Sequence, residues 1–384
     1  MATSSPTIDF GTRTNRLRGY LEREGLDAAV FASPANIAYL SGFQVLIYSR
    51  PIYLVVTADL TDLVVPGLEE EHAGHAAGIN QVTVYYEHPE KGNPGENAPD
   101  TLAALLHDRA VRRVGLEYAS APIALRARLE GNGLTPGDIS PHLIRMRLIK
   151  EPAEIDLMRQ AAALVRIGVM ATLAAAAPGQ SQLTIESVGT NAILEAAAQV
   201  TPEATVNLLH FTTSGPETSL PHLITTTRRL TMPDLVIHSR QVSVDGERAE
   251  LERTFALGAM DTEPRRIFDV AEEAQLAAIA AIRPGVPMRE VDAASRRLIQ
   301  DAGYGEYSIH RTGHGLGIEA HEAPYVRWDV DDPMEVGMVV SIEPGIYVPG
   351  LCGARHSDTV VVTLDGHETI TDAPRGAANL TFDR

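Results

Sequence analysis

A helix–Pro-Gly–helix device occurs twice in this chain and narrows its possible folds. A helical pattern that opens near Pro152 and runs to about Ala177 stops at Pro178-Gly179, and a second pattern follows from about Thr184 to Ala198. Roughly a hundred residues later the device returns, a spacing that suggests an internal duplication. There a helix from about Pro264 to Ile282 stops at Pro284-Gly285, and another runs from Met288 to Ala302. Proline cannot continue a helix and glycine tolerates the left-handed conformation that ends one. Two unrelated Pro-Gly stops are the simpler alternative. Strand patterns follow each helix pair: Leu208 to Thr213, Asp234 to Ser239 and Glu250 to Ala256 after the first, then Met338 to Ile342 and Asp358 to Thr363 after the second. Residues 146–384 are thus expected to form an α+β domain.

Residues 1–145 read differently. An amphipathic helix over Thr14 to Glu24 ends at Gly25. Strand patterns at Asp27 to Phe31, Ile52 to Thr57, Leu63 to Pro66, Val82 to Tyr86 and Val114 to Leu116 are interspersed with helical patterns at Asp100 to Asp108 and Ile123 to Glu130. That alternation predicts a separate α/β N-terminal domain. Glu87 to Asp100, polar and rich in Pro and Gly, reads as a surface loop.

Charge removes whole classes of function. With 32 basic and 50 acidic residues the formal net charge is −18. Nucleic-acid binding rests on clustered Lys and Arg, so no nucleic-acid partner is expected. Attraction to anionic membranes is disfavoured for the same reason. The longest apolar stretch, Ile167 to Ala177, falls short of the roughly 20 residues of a membrane span. Met1 to Asn15 lacks the apolar run of a signal peptide, so a cytoplasmic location is expected. The single cysteine, Cys352, allows neither an intramolecular disulfide nor a cysteine metal cluster.

Chemistry concentrates in a few segments. They are His222 in SGPETSLPH, Glu250 and Glu252 in ERAELERTF, His314 and His321 in GHGLGIEAHE, Glu343 in SIEPG, and Arg355 with His356 in GARHSD. Histidine titrates near neutrality and suits acid–base work, while carboxylates hold cations or orient an imidazole. Glu250 and Glu252 share one face of a strand, and burying both requires a cation. A solvated edge strand is the alternative. Gly313, Gly315 and Gly317 around His314 would let backbone approach a ligand or another chain.

The segments TTSGPETSLPH, GHGLGIEAHE, VGMVVSIEPGIY and GARHSDTVVVT resemble the "pita-bread" family of aminopeptidase P, prolidase and creatinase, in order and over essentially the whole chain. The resemblance implies an α/β N-terminal domain followed by a pita-bread catalytic domain with internal duplication. Peptidases of this family bind two divalent ions through two Asp, one His and two Glu. Here Ser239 stands at the first Asp position, and Glu250, eleven residues on, at the second. His314 and Glu343 match the His and the first Glu, and Ser357 stands at the last Glu. Hard dications favour carboxylate ligands, so a dimetal centre is not expected. A shifted alignment through Asp245, Glu247 or His238 is the alternative.

The finer resemblance is to creatinase, whose ALERT segment is similar to Glu250–Thr254, reading ELERT here. It implies a C–N hydrolase that needs neither metal nor cofactor and acts on an amidine, guanidine or amide. The substrate is a small carboxylate-bearing molecule. By this resemblance His222 activates water, and His314 and His321 hydrogen-bond the tetrahedral intermediate. Glu250 and Glu252 hold the nitrogen side, with Glu343 beside them. Arg50, after Tyr48, and Arg327 clamp the carboxylate, an anion that an arginine fork suits. His356 stands where creatinase has a second carboxylate, which points to a less cationic substrate. A homodimer with Arg50 acting in trans is implied. The alternatives are a metal-dependent Xaa-Pro peptidase with a degenerate site, a lyase or biosynthetic enzyme, and a non-catalytic binding protein on the same fold.

Overall fold

The computed structural model describes residues 6–45, 49–88, 91 and 97–384. These form two compact units, 7–146 and 147–384.

The first unit is built on a six-stranded mixed sheet. Its strands are β1 (Ala28–Phe31), β2 (Tyr53–Thr57), β3 (Thr61–Pro66), β4 (Gln81–Tyr85), β5 (Arg113–Leu116) and β6 (Thr135–Asp138), in the order β4-β3-β2-β1-β5-β6. Its helices are α1 (Phe10–Glu24), α2 (Pro34–Ser41), α3 (Glu70–Ala73), α4 (Ala98–Asp108), α5 (Ile123–Gly131) and α6 (Ser140–Leu148). The three central strands β1, β2 and β3 are buried along their whole lengths, as runs of Ala, Val, Leu and Tyr demand. Gly25 ends α1 in the left-handed region at φ 62°. Four elements escaped the sequence pattern: α2, α3, α6 and β6. Strand β6, TPGD, carries strand-averse residues that pair only because β5 offers its edge. Helix α2 is short and starts from a Ser33 cap, with Pro34 in its first turn.

The second unit contains the two helix pairs: α7 (Pro152–Ala175) with α8 (Gln182–Val200), and α9 (Thr262–Ala281) with α10 (Met288–Asp301). Gly179 and Gly285 sit at φ 86° and 84° in the two connecting turns. The strands are β7 (Val206–Ser214), β8 (Asp234–Val244), β9 (Glu247–Leu257), β10 (Gly313–Gly315), β11 (Glu322–Val326), β12 (Val339–Ile342), β13 (Gly345–Val348), β14 (Cys352–Arg355), β15 (Ser357–Thr363), β16 (Gly366–Thr369) and β17 (Thr381–Phe382). Nine of them form one sheet with the path β11-β10-β12-β15-β9-β8-β7, to which β16 and β17 add, while β13 and β14 pair separately. Helix α7 is long and apolar enough, by length and composition, to cross a membrane. It packs instead on β8 and β9, burying Leu157, Met158, Leu164, Val165 and Val169 as a core helix does.

Strands β8 and β9 are longer than the apolar pattern predicts, because Arg240, Gln241, Ser243 and Glu250 break it. Their hairpin turns through Asp245 and Gly246, both at positive φ (48° and 95°), the chemistry a two-residue connection needs. That turn fixes the register opposing Ser239 to Glu252 and Gln241 to Glu250.

Candidate active site

Two carboxylates on one strand face begin the site. Glu250 and Glu252 project from β9, as alternation requires, and both are buried, at 3% and 1% exposure. The solvated edge strand is therefore ruled out: β9 lies inside the sheet between β15 and β8.

Glu252 receives the cation its burial demands. Arg355, at the end of β14, donates Nε and Nη2 to its two oxygens at 2.6 and 2.8 Å. The same Nε lies 3.6 Å from Glu343. Burial pushes the Glu252 carboxyl up to about 7 against the pull of Arg355. Tyr347 accepts from Arg355 Nη1 at 3.0 Å and bonds His310 Nε2 at 2.9 Å, so a buried polar chain braces the guanidinium from behind. Sequence reasoning missed Tyr347, although the SIEPGIY segment contains it. Gly345 is required beside it, since a Cβ there would lie 2.3 Å from the Tyr347 hydroxyl.

Glu250 is held by neutral donors. Ser341 and Ser357 each donate to Oε1 at 2.6 Å, and Gln241 donates to Oε2 at 2.5 Å. Ser357 thus serves as a hydrogen-bond donor in the position where the resemblance places a ligand.

His314 faces the same group. Its Nδ1 lies 2.9 Å from the Gly315 carbonyl, which places a proton on that nitrogen. Its Nε2 is buried without an aligned hydrogen bond, 3.2 Å from Glu343 and 4.0 Å from Glu250. Burial opposes charging the ring, but Glu343 and Glu250 outweigh it and push its pKa up to about 9. Glu343 is held well below the usual carboxylate range, because contact with His314 and the charge of Arg355 overcome its burial. His321 stacks on His314 with ring centroids 3.7 Å apart. Burial, then the His314 charge, pulls its pKa down.

These groups floor a cavity of about 510 Å³. Glu250, Glu252, Glu343, Arg355, Ser239, Gln241, His321 and His222 are among its polar lining, and Leu183, Leu209, Phe211, Leu223 and Ile224 are its apolar lining. The structure therefore brings together His222, His321, Glu250, Glu252 and Glu343. His314 is fully buried behind them.

Other expected positions lie elsewhere. His356 is fully buried and edge-on to Phe268 at 5.0 Å, because strand alternation turns it away from the face Arg355 and Ser357 share. Its place opposite a substrate is corrected accordingly. Arg327 is exposed and forked onto Asp329 at 2.5 and 2.8 Å, outside the cavity lining. Arg50 belongs to the 7–146 unit, where it pairs with Glu87 at 2.5 Å. Tyr48 lies outside the described residues. The glycines around His314 admit neighbouring parts of the chain rather than a ligand. A Cβ on Gly313 or Gly315 would meet the carbonyl of Ser341 or Ala323 at 2.2 Å, and one on Gly317 would meet Lys150 at 2.8 Å.

The donors present decide which metal set fits. A two-ion centre does not fit, because Ser239 and Ser357 supply hydroxyls where carboxylates are needed and the Ser357 hydroxyl is already donated to Glu250. A smaller set fits. Glu250, His314 and His321 bring one donor atom each within 4.8 Å of one another, and so do Glu250, Glu252 and Glu343. The unaligned, buried Nε2 of His314 facing two carboxylates is the pattern a ligand nitrogen would show.

Comparison with known proteins agrees with this architecture. Residues 156–364 match the model of metallopeptidase family M24, and residues 13–149 match the creatinase/prolidase N-terminal domain. The putative dipeptidase YkvY of Bacillus subtilis (strain 168) is 31% identical over 94% of this chain and 98% of its own length. An uncharacterized peptidase of Staphylococcus aureus (strain MRSA252) is 30% identical over 94% of this chain and 99% of its own. Among solved structures, a prolidase from Thermococcus sibiricus superposes with a TM-score of 0.86 at 26% identity, covering 98% of this chain and 100% of that one. A dipeptidase from Pyrococcus horikoshii OT3 gives 0.83 at 28%, covering 96% and 99%. These relationships overturn the metal-independent, creatinase-like expectation. The matched catalytic family is a metallopeptidase family, and proteins similar over nearly the whole chain are named peptidases, dipeptidases and prolidases. The ELERT likeness is a short stretch of one strand, and Glu250 takes part in two groups of donors close enough to share an ion, one with His314 and His321 and one with Glu252 and Glu343.

Proposed function

The chain belongs to metallopeptidase family M24, and on that premise we propose that it hydrolyses the C–N bond of a small peptide, with Xaa-Pro dipeptides the first substrates to test. The observation that carries the reading is His314 Nε2 facing Glu343 at 3.2 Å and Glu250 at 4.0 Å, beside a cavity lined by both carboxylates and by apolar side chains. At about 510 Å³ the cavity has the size of a small-ligand site.

A divalent ion would be held by Glu250 with His314 and His321, or by Glu250 with Glu252 and Glu343, and would supply Lewis acidity to a carbonyl oxygen and to water near neutral pH. The chain's own residues do the rest. The Arg355–Glu252 fork keeps Glu252 fixed on the floor, and Tyr347 and His310 lock Arg355 in turn. Three serine and glutamine donors fix Glu250 so that it cannot rotate away. His222 and His321 line the part of the cavity open to solvent, where an imidazole can take a proton from water and return it to the leaving amine. The apolar lining excludes water around the substrate side chain.

The test is release of free proline from Leu-Pro and Gly-Pro, with Leu-Gly as comparison, before chelation, after chelation and after addition of Mn²⁺, Co²⁺ or Zn²⁺. Cleavage that is lost on chelation and restored by one of these ions is expected. An enzyme that cleaves none of these dipeptides under any metal condition would sink the reading.

A further inference from the structure

The cavity has a second polar end, away from the floor. Glu186, on α8, lines it and its side chain is only 3% exposed. Oε1 accepts a hydrogen bond from Thr225 at 2.7 Å. Oε2 faces His210 Nδ1 at 3.2 Å, and that nitrogen makes no aligned hydrogen bond. A carboxylate has about four acceptor positions, so most of this one's capacity is unused. A buried carboxylate is costly unless a cation or several donors meet it. Arg240 lies close by, yet its bonds run to Thr190 Oγ1 and to the main-chain oxygen of Glu186, both at 3.1 Å, and its Nε lies 3.4 Å from His238 Nε2.

We propose that Glu186 forms a subsite for a primary ammonium group carried on an aliphatic stem. Strand register sets the geometry. Leu209 on β7 opposes Gln241 on β8, which opposes Glu250 on β9, so these three share one sheet face. His210 alternates with Leu209 and takes the other face with Arg240, where Glu186 sits, and the cavity is lined from both faces around the edge strand β7. Leu183, Leu209, Leu223 and Ile224 line the cavity with them. That combination suits a methylene chain ending in an ammonium group. Where the substrate is a peptide, as proposed above, it assigns a lysine-like side chain to the residue on the amino side of the cleaved bond.

The experiment compares wild type with Glu186→Gln, which keeps the shape and an acceptor for Thr225 while removing the charge. Binding of 1,5-diaminopentane and of 1-pentanol is measured by titration calorimetry, and kcat/KM is measured for Lys-Pro and norleucine-Pro. Loss of a charge-assisted hydrogen bond is worth about 10- to 100-fold. Diaminopentane affinity and the Lys-Pro to norleucine-Pro ratio should both fall by that factor in Glu186→Gln. Glu186→Asp, which withdraws the carboxylate by one methylene, should fall part of the way and guards against a folding defect in the first variant. Diaminopentane binding unchanged in both variants, or diamine and pentanol weakened equally, overturns the subsite. Glu186-dependent diamine binding by a chain that cleaves no dipeptide would leave the subsite standing and remove the peptidase reading.

Discussion

Replacing Arg355 by Met is expected to destabilise the 147–384 unit by about 3–5 kcal/mol, the cost of stripping a buried charge of its partner. The structure puts the pair at that end of the scale. Both side chains are buried to within a few per cent, and the contact is a two-pronged fork at 2.6 and 2.8 Å. Without Arg355, Glu252 would stand on a floor shared with Glu250 and Glu343 and no cation bonded to it. Glu252→Gln alone should cost roughly half as much, because an amide oxygen still accepts from Arg355 and Glu343 lies 3.6 Å from the guanidinium. The double variant Arg355→Met/Glu252→Gln removes both charges and should recover at least about 2 kcal/mol relative to the sum of the singles. In a unit of this size each kcal/mol shifts Tm by about 2–4 °C, so Arg355→Met should melt about 6–20 °C lower. Urea unfolding at pH 7.5, with calorimetric scans in parallel, measures all four proteins of the cycle. A single-variant cost under about 1 kcal/mol, or strict additivity in the double variant, would refute the assignment of Arg355 as the counter-charge of Glu252.

Further outcomes test neighbouring parts of the argument. His356 is buried neutral, its pKa pulled well below 6.5 by burial and then by Arg253 and Arg375. Its contribution is fully present above the ordinary pKa and is lost as pH falls below it, by about 1.4 kcal/mol per pH unit. Wild type should therefore lose stability faster than His356→Leu between pH 6 and 5, and parallel curves would contradict this placement. Gly315→Ala should cost about 1–3 kcal/mol through overpacking against the Ala323 carbonyl, read by urea midpoints; a neutral effect would mean that β10 and β11 can separate freely. His222→Ala should lower kcat for the cleaved dipeptide by about 10²- to 10⁴-fold with stability within about 0.5 kcal/mol of wild type, since His222 is exposed. A His222→Ala enzyme with unaltered kcat would move the proton-transfer role to His321.

The catalytic half of this chain was legible for reasons of local physics. Pro-Gly stops marked the helix pairs, because the two residues interrupt a helix wherever they fall. Glu250 and Glu252 announced a shared face through strand alternation alone, and GHGLGIEAHE and SIEPG marked a site by their unusual residue types. What could not be read was which face of its strand each later residue takes against its neighbours. His356 sits one residue from Arg355 and one from Ser357, and that single step moves it from the site to the Phe268 pocket. Arg327 looked like a carboxylate clamp, but two residues on stands Asp329, whose carboxylate it grips instead. Glu186 carried no motif, and Tyr347, though it ends the SIEPGIY segment, had no visible role, since a Glu on an amphipathic helix and a Tyr in a short strand are unremarkable until other strands close around them.

By itself, then, the sequence determined the helix pairs with their Pro-Gly turns, the strand that carries Glu250 and Glu252, and the identity of the donors. Those outcomes depend on residue types and on periods of two and 3.6, which act over a few neighbours. Tertiary structure alone decided that Arg355 reaches across from β14 to neutralise Glu252, that Ser341, Ser357 and Gln241 bind Glu250, and that His314 is buried behind the site. Those partners lie roughly a hundred residues away in the chain for all but Gln241, and pairing them depends on sheet register and on the cost of leaving buried charge unmet. Neither of these is written in any one segment.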